Sequence, residues 1–515
     1  MPGAQAATSN VRDAATWLRA RLQPDAGLVG DSRALASGDA FFAYPGERTD
    51  GRHHIEGAIA AGAAAVLWES KGFDWNVAWA VPNLGFEGLR RASGPIADAY
   101  YDAPSSRMDV IAVTGTNGKT SCSQWIAQAL EWLGVQCAAV GTLGAGRPGA
   151  LETFGLTTPD ALALQRLLAR FAGQRIGHAA IEASSIGLDQ DRLAGTRLHT
   201  AVFTNLSRDH LDYHGSLQAY AQAKSRLFAW PGLACAVVNL DDPAAPQMLA
   251  AARDAGRRIG YAFATGGVQF QPLATRHGPH VDQRLLAVVE PLDDGLRLAM
   301  DGDFGRAEAR LSLVGRFNAA NALAVAAACL AQGHGLDRVV AALEALAPVP
   351  GRMQTVALPG QPLVVVDYAH APAALEQVLE ALRPLALHRG GALWCLFGAG
   401  GDRDRGKRPL MGGVAEAGAD HVVLTSDNPR SESPQAIVDE IATGMRGRPR
   451  WVECDRRLAI ERAIFEADAP DTVLVAGKGH ERYQEIGGER LPFSDAAVAA
   501  AALGARAAGA GGVDV

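Results

Sequence analysis

Two hydrophobic patterns recur along this chain. Short apolar runs rich in Val, Ile, Leu and Ala are followed by longer stretches whose apolar positions return every three or four residues. The first pattern reads as buried strands and the second as amphipathic helices. From residue 108 the predicted order is strand 110–113, helix 120–133, strand 135–140, helix 160–172, strand 178–183, strand 199–204, helix 216–228 and strand 234–239. Such alternation predicts an α/β fold with a mainly parallel sheet and helices on both faces. A second series begins with strand 363–367 and helix 373–385. It continues through strands 392–397 and 421–425, a helix from Pro434, a helix over 457–466, and strand 472–476. Ahead of both, strand 39–44, an Ala-rich helix over 55–64 and strand 65–68 suggest a smaller unit.

Two stretches punctuate the pattern. Tyr101-Asp-Ala-Pro-Ser-Ser106 reads as a linker, and Leu346-Ala-Pro-Val-Pro-Gly-Arg352 as a boundary. At 515 residues the chain exceeds one ordinary core. Three domains are expected, over residues 1–107, 108–348 and 349–515. The Ala/Gly-rich end from residue 503 is expected to fray.

Composition narrows the function. The chain is 48% apolar and 20% charged, as globular proteins are. A net charge of −7 argues against a broad nucleic-acid surface, so an anionic ligand must be held by local Lys, Arg and amide groups. Six cysteines without a C-x-x-C pair are expected to be free thiols in a reducing cytosol. The N-terminal stretch has no long apolar h-region, and the apolar stretch 319–331 is too short to span a bilayer. A cytoplasmic protein is expected.

The chemistry concentrates after strand 110–113. Gly115 and Gly118 allow a tight turn with inward-facing N–H groups, and Lys119, Thr120 and Ser121 open a helix. Strand, glycine loop and helix N-terminus with Lys-Thr form a phosphate cradle, in which Lys119 neutralises charge and Thr120 ligates Mg²⁺. Val113 stands where the full G-x-x-x-x-G-K-T pattern has its first glycine. Glu182 closes an apolar run, at a metal-binding carboxylate's place. His210, in a polar loop beyond a strand, reads equally as a structural histidine or a ligand. Lys224 falls on an apolar stripe with Leu217, Tyr220, Ala221, Leu227 and Phe228. It either snorkels to water or is held in a site with altered charge or a covalent modification, and spacing does not choose. Asp31-Ser32-Arg33 reads as a polar turn, and Asn318 and Asn321 as possible helix caps. The loop Gly398-Ala-Gly-Gly-Asp-Arg403 is a weak dinucleotide fingerprint. Charged loops at the last strand ends, with Arg403, Asp427, Arg430, Lys478, His480 and Glu481, form either a solvated rim or a pocket for a polar zwitterion.

Taken together these motifs resemble the Mur ligase family over nearly the whole chain. The resemblance rests on Thr114-Gly-Thr-Asn-Gly-Lys-Thr120, Thr157-Thr-Pro159, Asn205-Leu-Ser-Arg-Asp-His-Leu-Asp212, Lys224, Gly315-Arg-Phe-Asn318, Asp367-Tyr-Ala-His370, Gly400-Gly-Asp-Arg-Asp404, Asp427-Asn-Pro-Arg430 and Gly477-Lys-Gly-His-Glu481. It implies an N-terminal domain for the UDP end of a substrate, a central P-loop ATPase and a C-terminal Rossmann-like domain. It further implies an ATP- and Mg²⁺-dependent monomer that adds meso-diaminopimelate to UDP-MurNAc-L-Ala-D-Glu through an acyl phosphate. By the same resemblance, Gly115, Thr116, Asn117, Gly118, Lys119, Thr120, Ser121, Asn318, Arg352, Asp367 and His370 serve ATP. Ser32, Glu47, Arg48, Thr49, Thr157, Thr158, Ser184, Gln190 and Arg192 serve the UDP-muramoyl-dipeptide. Arg403, Asp427, Asn428, Pro429, Arg430, Gly477 and Glu481 serve diaminopimelate. Thr120, Glu182, His210 and a carbamate on Lys224 serve the metal, with Lys119, Lys224, His210 and Glu182 implied in catalysis. One position departs: Ile186 stands where the family usually has His.

Overall fold

A computed structural model describes residues 6–8, 10–47, 49–264, 281–292 and 295–509. It contains three separate main sheets. The first comprises β1 (Ala6–Thr8), β2 (Leu28–Val29), β3 (Ala40–Ala43), β4 (Ala65–Glu69) and β5 (Asn83–Phe86), in the order β1-β5-β4-β3-β2 with every pair parallel. The second holds β6 (Asp109–Thr114), β7 (Cys137–Gly141), β8 (Gly144–Gly146), β9 (His178–Glu182), β10 (Thr200–Phe203), β11 (Cys235–Asn239), β12 (Arg257–Phe263), β13 (Gln283–Leu292), β14 (Gly295–Gly302) and β15 (Ala307–Leu311). Their order is β15-β14-β13-β12-β11-β10-β6-β9-β7-β8. The third holds β16 (Gln354–Val356), β17 (Leu363–Asp367), β18 (Leu393–Phe397), β19 (His421–Leu424), β20 (Trp451–Val452) and β21 (Thr472–Ala476), in the order β16-β17-β21-β18-β19-β20. A hairpin of β22 (Tyr483–Ile486) and β23 (Glu489–Pro492) stands apart.

The central sheet is covered on both faces over β6, β7, β9, β10 and β11, whose middle positions are apolar. Ile111, Val113, Ala180, Val202 and Val237 pack toward Trp125, Ile126 and Leu130 of the helix Lys119–Trp132. The alternate residues Val110, Ala112, Ile181, Phe203 and Val238 pack toward Leu164, Leu168 and Phe171 of the helix Ala161–Gly173. Each fully buried Leu, Ile or Phe contributes about 1.5–3 kcal/mol. The helix Arg316–Ala331 is almost entirely buried, and its small Ala side chains let neighbours approach on all sides. Among the described residues no helix is long and apolar enough to cross a membrane. All six cysteines are free, and five are buried.

Several elements differ from the pattern-based expectation. The sheet extends past residue 239 through β12 and the antiparallel ribbon β13–β15, which the expected order of elements does not include although Leu296, Leu298 and Met300, and then Ala309 and Leu311, alternate with less buried residues. The helix expected over 216–228 runs only from Leu217 to Ser225, and Leu217 is exposed rather than on the buried stripe. The helix expected over 55–64 ends at Ala60. The proposed linker folds into a short 3₁₀ turn, Pro104–Arg107. The tail does not fray at residue 503: Leu503 is buried within the helix Asp495–Ala507, which packs on the helix Arg456–Glu466. Asn318 and Asn321 are not caps, since Gly315 holds that position and Asn318 Nδ2 donates back to Val314 O at 2.9 Å.

The first two sheets meet through helices, and the contact is close. A β-carbon at Gly94, inside the helix Leu89–Tyr100, would lie 2.1 Å from Ala194 O. Ala is the better helix former by up to about 1 kcal/mol, but backbone cannot give way as a side chain does. Gly94→Ala is therefore expected to destabilise the chain by about 1–3 kcal/mol, seen as a lower melting temperature; an unchanged or higher one would show that this contact is slack.

Candidate active site

The carboxyl end of β6 carries the phosphate loop. Gly118 has φ +87°, and a β-carbon there would lie 2.3 Å from Asn321 Oδ1, so glycine alone fits both the turn and the neighbour. Gly118 precedes the helix Lys119–Trp132 and offers no side-chain cap, which leaves the first-turn N–H groups for a ligand. Thr116 N donates to Asn205 O at 2.8 Å, Asn117 N to Asn205 Oδ1 at 2.9 Å, and Thr204 Oγ1 to Asn117 O at 2.6 Å. The loop after β10 therefore braces the loop after β6.

Two lysines converge on one carbonyl. Lys119 Nζ donates to Gly115 O at 2.9 Å and to Thr116 O at 2.8 Å, and Lys224 Nζ donates to Gly115 O at 2.8 Å. Lys224 is 1% exposed, so it does not snorkel to water. Burial, reinforced by the Lys119 charge, holds its ammonium well below the usual lysine range. Tyr220 covers it, with Nζ 4.3 Å from the ring centroid. Burial lowers Lys119 as well, partly offset by Glu182.

Glu182, at the end of β9, is fully buried, and burial raises its carboxyl. Its Oε2 accepts from Thr120 Oγ1 at 3.0 Å and its Oε1 from Thr142 N at 2.8 Å. Thr158 Oγ1 donates to Glu182 O at 2.7 Å and lies 2.9 Å from Ser184 Oγ. Arg192 donates to Thr158 O at 2.8 Å and twice to Gln190 Oε1. Thr157 Oγ1 is 3.2 Å from Thr142 Oγ1. Gln190 reaches Tyr213 OH at 3.4 Å, and Tyr213 donates to Glu47 Oε1 at 2.7 Å. Thr157, Thr158, Ser184, Gln190, Arg192 and Glu47 thus form one polar wall. Thr142 and Tyr213, its joints, were missed because nothing local marks them.

Other expected residues lie more loosely. Ser32 sits in a 3₁₀ turn capped by Asp31, and Thr49 Oγ1 bonds His54 Nε2 at 3.2 Å. Arg48 lies outside the described residues. His210 has φ +50°, is half exposed, and its ring centroid lies 6.1 Å from that of Tyr220. Ile186, at the departing position, lies in the short helix Ser185–Asp189.

The third sheet presents four loops at its carboxyl edge. Asp367 is buried at the end of β17 and accepts from Met353 N and Ala369 N, both at 2.8 Å. His370 is exposed, its Nδ1 2.8 Å from Tyr368 O. Arg352 lies over the Tyr368 ring and bears electrostatically on both Lys119 and Glu182, which joins this sheet to the phosphate loop. The loops after β19 and β21 are no solvated rim. Asp427, Asn428 and Lys478 are buried. Lys478 Nζ donates to Asn428 Oδ1 at 2.8 Å and to Glu481 Oε2 at 3.0 Å. Gly477 passes so close that a β-carbon would meet Asp427 Oδ2 at 2.6 Å. Among the described residues the Asp427 carboxylate accepts no hydrogen bond; Lys478 Nζ lies 3.8 Å from its Oδ1. Burial raises it. Arg430, with φ +52°, donates from Nη1 to Gly401 O at 2.6 Å and has Nε 3.3 Å from Glu485 Oε2. The β22–β23 hairpin, absent from the sequence reading, backs this loop: Arg430 N donates to Glu485 O at 3.0 Å. Arg403 is exposed on the loop after β18.

The residues suit a magnesium nucleotide. Thr120 and Glu182 offer hard oxygen donors. Arg352 Nε is buried without a hydrogen-bond partner, and the first-turn amides are uncapped. Among the described residues no three His, Cys, Asp or Glu side chains gather as a metal group. The set implied by resemblance contains only two such residues, beside a hydroxyl and a carbamate.

Comparison with known proteins agrees with this layout. Residues 26–101 match the model described as Mur ligase family, catalytic domain, residues 113–329 the Mur ligase middle domain, and residues 351–479 the Mur ligase, glutamate ligase domain. The chain belongs to the Mur ligase family. Two Mur ligases named UDP-N-acetylmuramoyl-L-alanyl-D-glutamate–2,6-diaminopimelate ligase are close relatives. The one from Acidovorax sp. (strain JS42) is 46% identical over 506 residues, covering 97% of this chain and 98% of its own. The one from Alkalilimnicola ehrlichii is 49% identical over 490 residues, covering 94% and 95%. A solved structure of an enzyme of that name superposes with a TM-score of 0.68 at 38% identity, covering 94% of this chain and 96% of that one.

Asp427 makes a measurable prediction. Its folded carboxyl is raised, so ionising it as pH climbs above the ordinary carboxylate value of 3.8 costs stability. Asp427→Asn is expected to melt higher than the native chain at neutral pH, and to lose that advantage in acid. Equal melting at both pH values would show that the carboxylate is already compensated.

Proposed function

We propose that this Mur ligase couples ATP cleavage to the addition of meso-diaminopimelate to UDP-MurNAc-L-Ala-D-Glu. The observation that carries the choice of amino acid is the Asp427–Arg430 loop. Among the described residues its buried carboxylate accepts no hydrogen bond and has Lys478 Nζ at 3.8 Å, and three residues on, the Arg430 guanidinium meets Gly401 O and Glu485 through Nη1 and Nε, with no partner at Nη2. An ammonium beside Asp427 and a carboxylate on Arg430 would satisfy both, and diaminopimelate carries such a pair on its distal carbon. Relatives named for that reaction match this chain over nearly its full length.

The proposed division of labour follows the three sheets, with domains over residues 1–107, 108–348 and 349–515. The first holds the UDP end through Ser32 and the segment 47–49. The wall of Thr157, Thr158, Ser184, Gln190 and Arg192 orients the muramoyl-dipeptide. The loop 115–121, with Asn318, Arg352, Asp367 and His370, holds ATP in the cytoplasm-facing monomer we envisage. The D-glutamate γ-carboxylate attacks the γ-phosphorus, giving ADP and an acyl phosphate. Lys119 and the loop amides offset the repulsion between the two anions. The free amine of diaminopimelate then attacks the acyl carbon, and phosphate leaves with one carboxylate oxygen. Mg²⁺, held by Thr120, Glu182, His210 and carbamylated Lys224, would neutralise the phosphate oxygens. Arg352 brings the third domain against the cradle, which limits water at the acyl phosphate.

The position of Lys224 supports the carbamate. A neutral amine adds CO₂, forming an N–C bond and releasing a proton, and this lysine is held toward neutrality. Lys224→Ala is expected to abolish turnover; a short carboxylic acid should restore part of it, and bicarbonate should not. Full activity in the variant would remove the carbamate from the account.

The amino-acid choice is tested by phosphate release with ATP, Mg²⁺ and UDP-MurNAc-L-Ala-D-Glu, adding meso-diaminopimelate or L-lysine in parallel. Diaminopimelate should be preferred by at least about a hundredfold, because lysine has no distal carboxylate to meet the Nη2 end of the Arg430 guanidinium. Equal use of lysine would overturn the role of the Asp427–Arg430 loop, and hydrolysis indifferent to both would overturn the ligase.

A further inference from the structure

The ends of β19 and β21 present the proposed amino-acid loops, yet these strands are not neighbours. β18 lies between them, so no ladder hydrogen bond fixes the distance between their ends. One side chain bridges the backbone of the two strand ends, behind the loop contacts of Lys478 and Asn428. Arg456, the first residue of the helix Arg456–Glu466, is fully buried and donates from Nη1 to Ser426 O at 3.0 Å and from Nη2 to Ala476 O at 2.9 Å. Ser426 immediately precedes Asp427, and Ala476 immediately precedes Gly477. The same guanidinium pairs with both oxygens of Asp495, Nε to Oδ1 and Nη2 to Oδ2, each at 2.8 Å. Asp495 is also fully buried and opens the helix Asp495–Ala507.

We infer that Arg456, oriented by Asp495, is a positioning residue that sets the spacing of the Asp427 and Gly477–Glu481 loops and thereby the fit of the incoming amino acid. This rests on the proposed reading of those loops as the amino-acid site. The spacing has little tolerance, because there is no room for even a β-carbon between Gly477 and Asp427, and Lys478 must reach both Asn428 and Glu481. Stability alone is a weak reason for such a pair. A buried ion pair is often matched or surpassed by apolar residues of similar volume. The fork of Arg456 does what apolar groups cannot: it donates to two carbonyls on separate strands while its charge is balanced from behind.

The test uses the full chain and steady-state kinetics with all three substrates. Two variants separate positioning from stability. Arg456→Lys keeps the charge opposite Asp495 but cannot reproduce the planar fork. The double variant Arg456→Met with Asp495→Leu removes both charges, so no uncompensated ion remains buried. In each, the KM for diaminopimelate is expected to rise by at least about tenfold, while the KM values for ATP and UDP-MurNAc-L-Ala-D-Glu stay at native values. In the double variant this should persist with a melting temperature near the native one. A native KM for diaminopimelate in either folded variant would overturn the inference. So would an Arg456→Lys chain that fails to fold, which would assign the pair to stability, or equal rises for all three substrates. If the native enzyme itself ignores diaminopimelate, the underlying reading of the site fails instead, and the two failures are told apart by that control.

Discussion

One backbone oxygen organises the centre of this protein. Gly115 O accepts from both Lys119 and Lys224, each within 2.9 Å. Two full positive charges so close in a buried site would cost on the order of several kcal/mol, so one of them is pressed toward neutrality. The more enclosed of the two by residue exposure, pressed well down by burial and the other's charge, is Lys224. Of the two, Lys224 is lowered well below the usual lysine range, the direction that the proposed carbamate requires. The bracing of Thr116 and Asn117 by Asn205 holds that oxygen in place.

The three sheets work as one site because a few polar side chains cross between them. Tyr213 ties the polar wall to Glu47 of the first unit. Asn117 Nδ2 meets Gln377 Oε1 of the third at 3.3 Å. Arg352, with an unpartnered buried Nε, reaches from the third unit toward Lys119 and Glu182. These polar crossings lie beside apolar packing, since Leu162 of the second unit is buried among core residues of the first and Val314 among those of the third.

Much of this was legible in the sequence, for reasons that are local. The strands before each candidate loop are short, apolar and bounded by glycine or charge, and they appear within a residue or two of their expected ends. The glycine loop and Lys224 announced themselves through backbone chemistry and through a charge on an apolar stripe. What escaped depends on contacts far apart in the chain. Tyr213 meeting Glu47, Thr142 meeting Glu182 and Arg456 meeting Asp495 have no signature within their own segments. The β22–β23 hairpin mixes polar and apolar residues without a clear period, so pairing and not periodicity makes its strands; β14 and β15 do alternate, but they lie past the last strand expected in that sheet. Leu217 shows the converse: it fits the stripe by spacing, yet it lies in the first turn, beyond the reach of the core.

The central claim is that the phosphate held at the Gly115–Thr120 loop is passed to the carboxylate that the amine then attacks. Isotope transfer tests this directly. UDP-MurNAc-L-Ala-D-Glu labelled with ¹⁸O in the D-glutamate γ-carboxylate is turned over with ATP and meso-diaminopimelate, and the released phosphate is analysed by mass. An acyl phosphate requires one labelled oxygen in each phosphate formed during ligation. Unlabelled phosphate accompanying labelled peptide product would contradict the account, since the carboxylate would then have been activated without passing through this cradle.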